Sequence, residues 1–171
     1  MKKLLFLLCC FSLLLTACSA ERKIQPAKEE LLEYYESHQQ ALTDLSRALL
    51  EIVAQEPNVS CVCVYLDRPV LALNFTVGSY EIRSVKDFPR LEELLATAEI
   101  EDSPIENIWA YWEGRYFDSP TCEYGFSIMD RGEFYYHFVL TYTGVPNVQI
   151  TVDISADQLD SNWQLVHHYW Y

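Results

Sequence analysis

From Pro26 onward the chain repeats one pattern for long enough to constrain its architecture. Leu31, Tyr35, His38, Leu42, Leu45, Leu49 and Ile52 recur at alternating spacings of four and three, the period that lines one face of an α-helix. Glu29, Glu30, Glu33, Glu36, Gln40, Asp44 and Arg47 fall mostly elsewhere. One stripe is therefore built for burial and the rest of the surface for water. Pro57 and Asn58 end the pattern. The same spacing fits a heptad seam, but seven positions with His38 and Tyr35 among them are too few and too irregular for a coiled coil. A single long helix laid against a sheet is the expected arrangement.

The sheet follows in the sequence. "NVSCVCVYLD" puts Val59, Cys61, Cys63 and Tyr65 on one face and Val62, Val64 and Leu66 on the other, which describes a strand covered on both sides. Arg68-Pro69 turns the chain into "VLALNFTVGSYEIRSV", expected to be the antiparallel neighbour. Asp87 and Pro89 open a second helix carrying Leu91, Leu94, Leu95 and Ala98 on one side. In "SPIENIWAYWEGRYFD", Ser103, Pro104 and Glu106 look like a helix start with a capping box, while Trp109 to Phe117 have the aromatic density of a strand; a turn of helix running into a strand is expected. The remainder is a meander. "YGFSIM", the turn Asp130-Arg131-Gly132 and "EFYYHFVLTYT" form a hairpin, Gly144 to Asn147 turn into "VQITVDI", and "DQLDSN" turns into "WQLVHHYWY". Along the middle strand Phe134, Tyr136, Phe138, Leu140 and Tyr142 share one face, and Tyr135, His137, Val139 and Thr141 the other.

This order implies an α+β domain: a long N-terminal helix packed on a curved antiparallel sheet, with a second short helix. In general architecture it resembles nuclear-transport-factor-like and cystatin-like folds, which host many unrelated functions.

The residues before the first helix carry an address. Lys2 and Lys3 precede an apolar run from Leu4 to Leu15, and small residues lead to Cys18, the parts of an export signal. Twelve apolar residues are too few to span a bilayer, which takes about twenty. Leu15-Thr16-Ala17-Cys18 resembles the lipobox of bacterial lipoproteins. The resemblance implies cleavage before Cys18, a diacylglyceryl thioether on its sulfur and attachment to the extracytoplasmic face of the membrane. Two or three acyl chains anchor stably where one would not. The expected organisation is a signal peptide over 1–17, the lipidated cysteine and a short tether over 18–25, and one α+β domain over 26–171.

Cleavage removes two lysines, leaving ten basic residues against 25 acidic ones and a formal charge of −15. Nucleic acid or an anionic lipid surface would repel such a domain, because both bind through clustered Lys and Arg, and the folded part is expected to stand off in the aqueous phase. The acyl chains must then carry the membrane attachment.

Chemistry-bearing residues are few. No nucleophile elbow, zinc-protease helix motif, phosphate loop or Cys-x-x-Cys spacing is present, and no cofactor is implied. His167 and His168 are adjacent on an expected strand and point to opposite faces, so they cannot chelate one metal together; His137 could join one of them, but no third ligand can be placed. Cys61, Cys63 and Cys122 lie among Val and Tyr, where buried thiols act as small hydrophobes; a disulfide of Cys122 with Cys61 or Cys63 is the alternative, and a nucleophile a more distant one. The aromatic content is skewed toward the C-terminal half, with all four tryptophans at or beyond Trp109. Half of any strand faces a core, so the candidates for a binding surface are those opposite the main apolar stripe: Tyr135, His137, His168 and Trp170, with Trp112 and Tyr116 on the ambiguous segment.

"YYESHQQALTDLSRALLEI" together with the terminal "LDSNWQLVHHYWY" looks like a group of small, uncharacterised exported bacterial lipoproteins that end in Asn-Trp and an aromatic tail. That resemblance supports the anchor and the domain limits and brings no catalytic residues. The expectation is a lipid-anchored envelope protein that binds an envelope protein or an extracellular ligand without catalysis. The alternative is an extracytoplasmic hydrolase or thiol-dependent enzyme using His137 or a cysteine.

Overall fold

The computed structural model describes the backbone of residues 2–55, 59–66, 70–77, 80–113, 117–130, 134–150 and 154–170, and the side chains of 26–55, 59, 61–66, 88–113, 117–126, 138–150 and 154–167. Helix α1 (Lys2–Gln55) leads into β1 (Val59–Tyr65), β2 (Val70–Val77) and β3 (Tyr80–Asp87). Helix α2 (Leu91–Thr97) and a 3-10 turn (Ile100–Asp102) precede β4 (Asn107–Tyr111), β5 (Thr121–Asp130), β6 (Phe134–Thr143), β7 (Ser155–Gln158) and β8 (Trp163–Trp170). The strands form one antiparallel sheet in the order β3-β2-β1-β4-β5-β6-β8-β7, which does not close on itself. The fold is α+β, with the long helix laid across β1, β4, β5 and β6.

The stripe on α1 is what the sheet buries. Leu31, Tyr35, Leu42, Leu45 and Leu49 are buried, and the stripe drifts at its end from Ile52, which is half-buried, to Val53. They meet Val62 and Val64 of β1, Ile108 and Ala110 of β4, Cys122 and Tyr124 of β5, Phe138, Leu140 and Tyr142 of β6, and Trp163 and Leu165 of β8 in one core. Each strand contributes alternate residues, as the pleat requires. Trp163 is the largest fully buried side chain; its ring lies 5.2 to 5.7 Å from those of Tyr35, Tyr124 and Tyr142, and its Nε1 donates to Thr43 Oγ1 at 3.0 Å.

The opposite face is closed by loops. Phe117, Val139 and Val166 form a second cluster under Val148, Ile150, Ile154 and Ala156. A polar row runs beside it, Glu123 paired with Thr141 and Thr141 with Gln164, all buried. Gln164 Nε2 donates to the carbonyl of Val148 at 2.7 Å and Thr143 Oγ1 to that of Val145 at 2.8 Å, so the row holds the loop after β6 in place.

The observed elements differ from the sequence reading at five places. "VLALNFTVGSYEIRSV" forms two strands, β2 and β3, paired from Val70↔Asp87 to Val77↔Tyr80, with Gly78-Ser79 between them outside the described residues. The helical turn precedes Ser103 rather than following it, because the Ser103 hydroxyl donates back to the carbonyl of Ile100 and accepts the Ile105 amide, satisfying both groups in a bend. β4 stops at Tyr111, well before Phe117. The last edge strand described is Ser155–Gln158; of "VQITVDI", residues 148–150 are irregular and 151–153 lie outside the described residues. Pro26 lies inside α1 rather than at its start, and residues 18–25 are helical. "AERKIQPAKEELL" has strong helix formers on both sides of Pro26, whose place inside the helix removes one backbone hydrogen bond at a cost of about 3 kcal/mol. Among the described residues no helix is long and apolar enough to cross a membrane.

Candidate functional site

Beyond the core, among the described residues, three strands continue without a further neighbour. β4 pairs with β5 only as far as Asn107↔Gly125, and β7 pairs with β8 only as far as Ser155↔His167. β5, β6 and β8 go on to Asp130↔Phe134 and Tyr135↔Trp170. They form a three-stranded extension made of residues 126–130, 134–138 and 168–170. Five residues of strand amount to about 16 Å.

The register gathers four of the six expected surface residues on this extension. Tyr135 is paired with Trp170 and His137 with His168, and across β5 they face Met129 and Ser127. Two and four residues along β6 from Val139, His137 and Tyr135 take register positions on the face away from α1. Trp112 does not join them. It follows β4 at the other end of the sheet, eight residues along β5 from the level of Tyr135 or about 26 Å, and is 58% exposed. Tyr116 lies outside the described residues.

The thiols occupy different surroundings. Cys122 is paired with Ala110, and Ala110 with Val62, so Cys122 lies on the α1 side of the sheet. Cys61 and Cys63 flank Val62 and take the other side, two strands away, or about 10 Å at the usual strand spacing. That exceeds the reach of a disulfide, for which Cα atoms stand within about 7 Å. The Cys122 bridge is therefore not formed, and all three residues carry thiols. Burial pushes the Cys122 thiol up to about 12, so it stays protonated and unreactive under the Ser46 and Tyr124 hydroxyls.

Histidines and carboxylates serve as fasteners. His167, on the α1 face, has Nε2 3.0 Å from Asp157 Oδ2, and Lys28 Nζ donates to the same oxygen at 2.6 Å. The Lys28 ammonium is the main cause that holds the Asp157 carboxyl below its ordinary value. Burial alone would raise Asp160, but amides of Asn162 and Trp163 at 2.7 and 2.9 Å, the Tyr35 hydroxyl at 2.9 Å and the Gln39 side chain together lower it. His38 stacks on Tyr34 and reaches Glu99 at 3.2 Å, while Tyr34 Oη donates to the carbonyl of Ala98 at 2.6 Å, fixing α2 to α1. Among the described residues no group of three His, Cys, Asp or Glu side chains could hold a metal ion.

Two features escape a sequence reading. A depression of about 580 Å³ beside α2 is lined by Leu66, Leu95 and Ile100 with the carboxylates Glu92, Glu99, Glu101 and Asp102, a surface that favours cations in general. The Lys28, Asp157 and His167 cluster joins positions more than a hundred residues apart, and no local pattern announces it. Comparison with protein-family models, with curated proteins and with solved structures finds no match for this chain.

Proposed function

We propose that the protein is a lipoprotein attached through Cys18 to the extracytoplasmic face of the cell membrane, where it acts as a noncatalytic binding module. The observation that carries this reading is the register of the sheet extension, which sets Tyr135 against Trp170 and His137 against His168 on one face. Tyr and Trp offer large, stiff contact area with a polar tip, the composition of binding surfaces rather than of reaction centres. The burial of Cys122 and its raised thiol count against the thiol-enzyme alternative. The hydrolase alternative has only His137 to build on, beside a second histidine and no carboxylate on the described face of the extension.

The test is labelling of cells with a fatty acid, followed by crosslinking of the full-length protein and of Cys18→Ala. Label on the wild type alone, with a component captured only by the anchored form, is the expected result. Substrate turnover by the purified protein that disappears in His137→Ala would replace the binding reading with the enzymatic one.

A further inference from the structure

The direction of α1 relates the extension to the anchor. Lys28 and His167 meet on one carboxylate oxygen of Asp157. Seven residues further on, Tyr35 packs on Trp163, four residues back along β8. Seven helical residues rise about 10 Å and four strand residues about 13 Å, so α1 runs nearly antiparallel to β8 here. Going toward the N-terminus of α1 therefore means going toward the end of β8. Trp170 lies three residues past His167, about 10 Å. Cys18 lies ten helical residues before Lys28, about 15 Å. The lipidated residue and the tip of the extension come to within about 5 Å of one level.

That gap decides what can lie against this end. A helix is about 10 Å across, so no folded element of a partner fits between the end of the sheet and the surface that holds the acyl chains. The composition agrees. Residues 126–130, 134–138 and 168–170 contain Phe126, Phe134, Tyr135, Tyr136, Phe138, Tyr169 and Trp170, and their one formal charge is Asp130. In a mature chain of formal charge −15, a stretch with a single acid is one that an anionic surface repels little. Tyrosine and tryptophan concentrate at the level of lipid headgroups, where one end of the ring is apolar and the other wet.

We propose that this end of the sheet, where Tyr135 stands opposite Trp170 and Tyr136 opposite Tyr169 at the level from which the anchor leaves, rests in the headgroup interface of the membrane that holds Cys18. The inference rests on the lipidation reading above and names the partner of the same surface as the bilayer itself. The acyl chains hold the protein, and the aromatic end sets its orientation, with the Trp112 end directed away from the membrane.

Site-specific photocrosslinking tests this. The full-length protein is made in cells with p-benzoylphenylalanine in place of Tyr135, Trp170 or Trp112, and the adducts are identified by mass. Phospholipid adducts at the first two positions and their loss at Trp112 are expected. Protein adducts at Tyr135 and Trp170, or phospholipid adducts equally at Trp112, would overturn the inference. A second measurement needs no bulky substitution. The lipidated protein is reconstituted in vesicles of equal parts phosphatidylethanolamine and phosphatidylglycerol carrying brominated acyl chains. Tryptophan quenching should be lost in Trp170→Phe and kept in Trp112→Phe; quenching unchanged by Trp170→Phe would overturn the inference. Fatty-acid label on Cys18 without adducts or Trp170 quenching would remove this inference and leave the anchor reading standing, whereas absence of the label would remove both.

Discussion

Ser46 and Tyr124 join α1 to the centre of the sheet through hydroxyls 2.7 Å apart, both fully buried. A pair this close would ordinarily be expected to couple strongly, yet the geometry predicts the opposite. Ser46 Oγ also donates to the carbonyl of Leu42 at 2.8 Å, and Tyr124 Oη lies 3.2 Å from the same oxygen. Two hydroxyl protons share three oxygen–oxygen contacts, so only two of these bonds form at once. Ser46→Ala leaves the Tyr124 proton with Leu42, and Tyr124→Phe leaves the Ser46 proton there as well. Neither change strands a buried donor. Each should cost about 1 kcal/mol, the net value of one hydrogen bond, rather than the roughly 3 kcal/mol of an orphaned buried group. Ser46→Ala should fall at the low end, because alanine returns about 0.5 kcal/mol of helix propensity. The double variant should lose close to the sum, with an interaction energy under about 0.5 kcal/mol. Urea unfolding followed by tryptophan fluorescence measures all three, since the Trp163 ring lies 5.7 Å from that of Tyr124. Single losses near 3 kcal/mol, with the double variant no worse than either, would show an isolated pair and refute the shared-acceptor reasoning.

Cys122 should resist iodoacetamide in the folded protein and react once unfolded, and Cys122→Ser should leave native labelling at the wild-type level; native labelling that falls in Cys122→Ser would contradict its burial. Acid should destabilise the fold through Asp157 and Asp160, whose carboxyls are depressed below the ordinary 3.8. The unfolded chain binds the extra protons, so their contribution is complete above that value and fades as pH falls through the folded pKa; an Asp160→Asn variant should show a shallower loss in urea midpoints between neutral and acid pH. A methyl group at Gly125 would meet the side-chain amide of Asn107 at the point where β4 leaves the sheet. Gly125→Ala should therefore cost about 1–3 kcal/mol of overpacking, largely recovered by Asn107→Ala in the same chain, as thermal melts would show.

How much of this could be read in advance depends on how local each signal was. The α1 stripe was legible from spacing alone, because helix periodicity over more than twenty residues leaves little freedom, and Leu31, Leu42, Leu45 and Leu49 are buried as expected. Alternation in "EFYYHFVLTYT" also sorted its faces, with Phe138, Leu140 and Tyr142 in the core that α1 covers. The hairpin of β2 and β3 was missed although Gly78-Ser79 is a turn signal, since the apolar run of β2 passes into the alternating "YEIRSV" and the two were read as one strand. Ser155–Gln158 was missed because "SADQ" has polar, turn-like composition; β8 recruits it as an edge through backbone pairing, which composition does not reveal. For the candidate site, alternation selected Tyr135, His137, His168 and Trp170, but only the pairing register brings β6 and β8 together and leaves Trp112 at the far end. Register is a property of the whole sheet, and the Cys122 disulfide failed for the same reason.

The level of Cys18 relative to the aromatic extension is set by packing more than by charge. Lys28, Asp157 and His167 mark the crossing of α1 over β8, yet Asp157 is half exposed, and ion pairs in such surroundings contribute little. The nearby Trp163, wedged among Tyr35, Tyr124 and Tyr142 and hydrogen-bonded to Thr43, has no such weakness. Sliding α1 by one turn along β8 would move Tyr35 about 5.4 Å off that ring and strip Asp160 of the Tyr35 hydroxyl. The core thus fixes the register of helix on sheet, and the helix carries that register back to Cys18. A difference in level of about 5 Å between Cys18 and the aromatic tip follows from the fold itself. A flexible tether of the same eight residues could wander over roughly 25 Å and would leave orientation to chance. Continuity of α1 through residues 18–25 is what would convert the lipid anchor proposed at Cys18 into a positioning device.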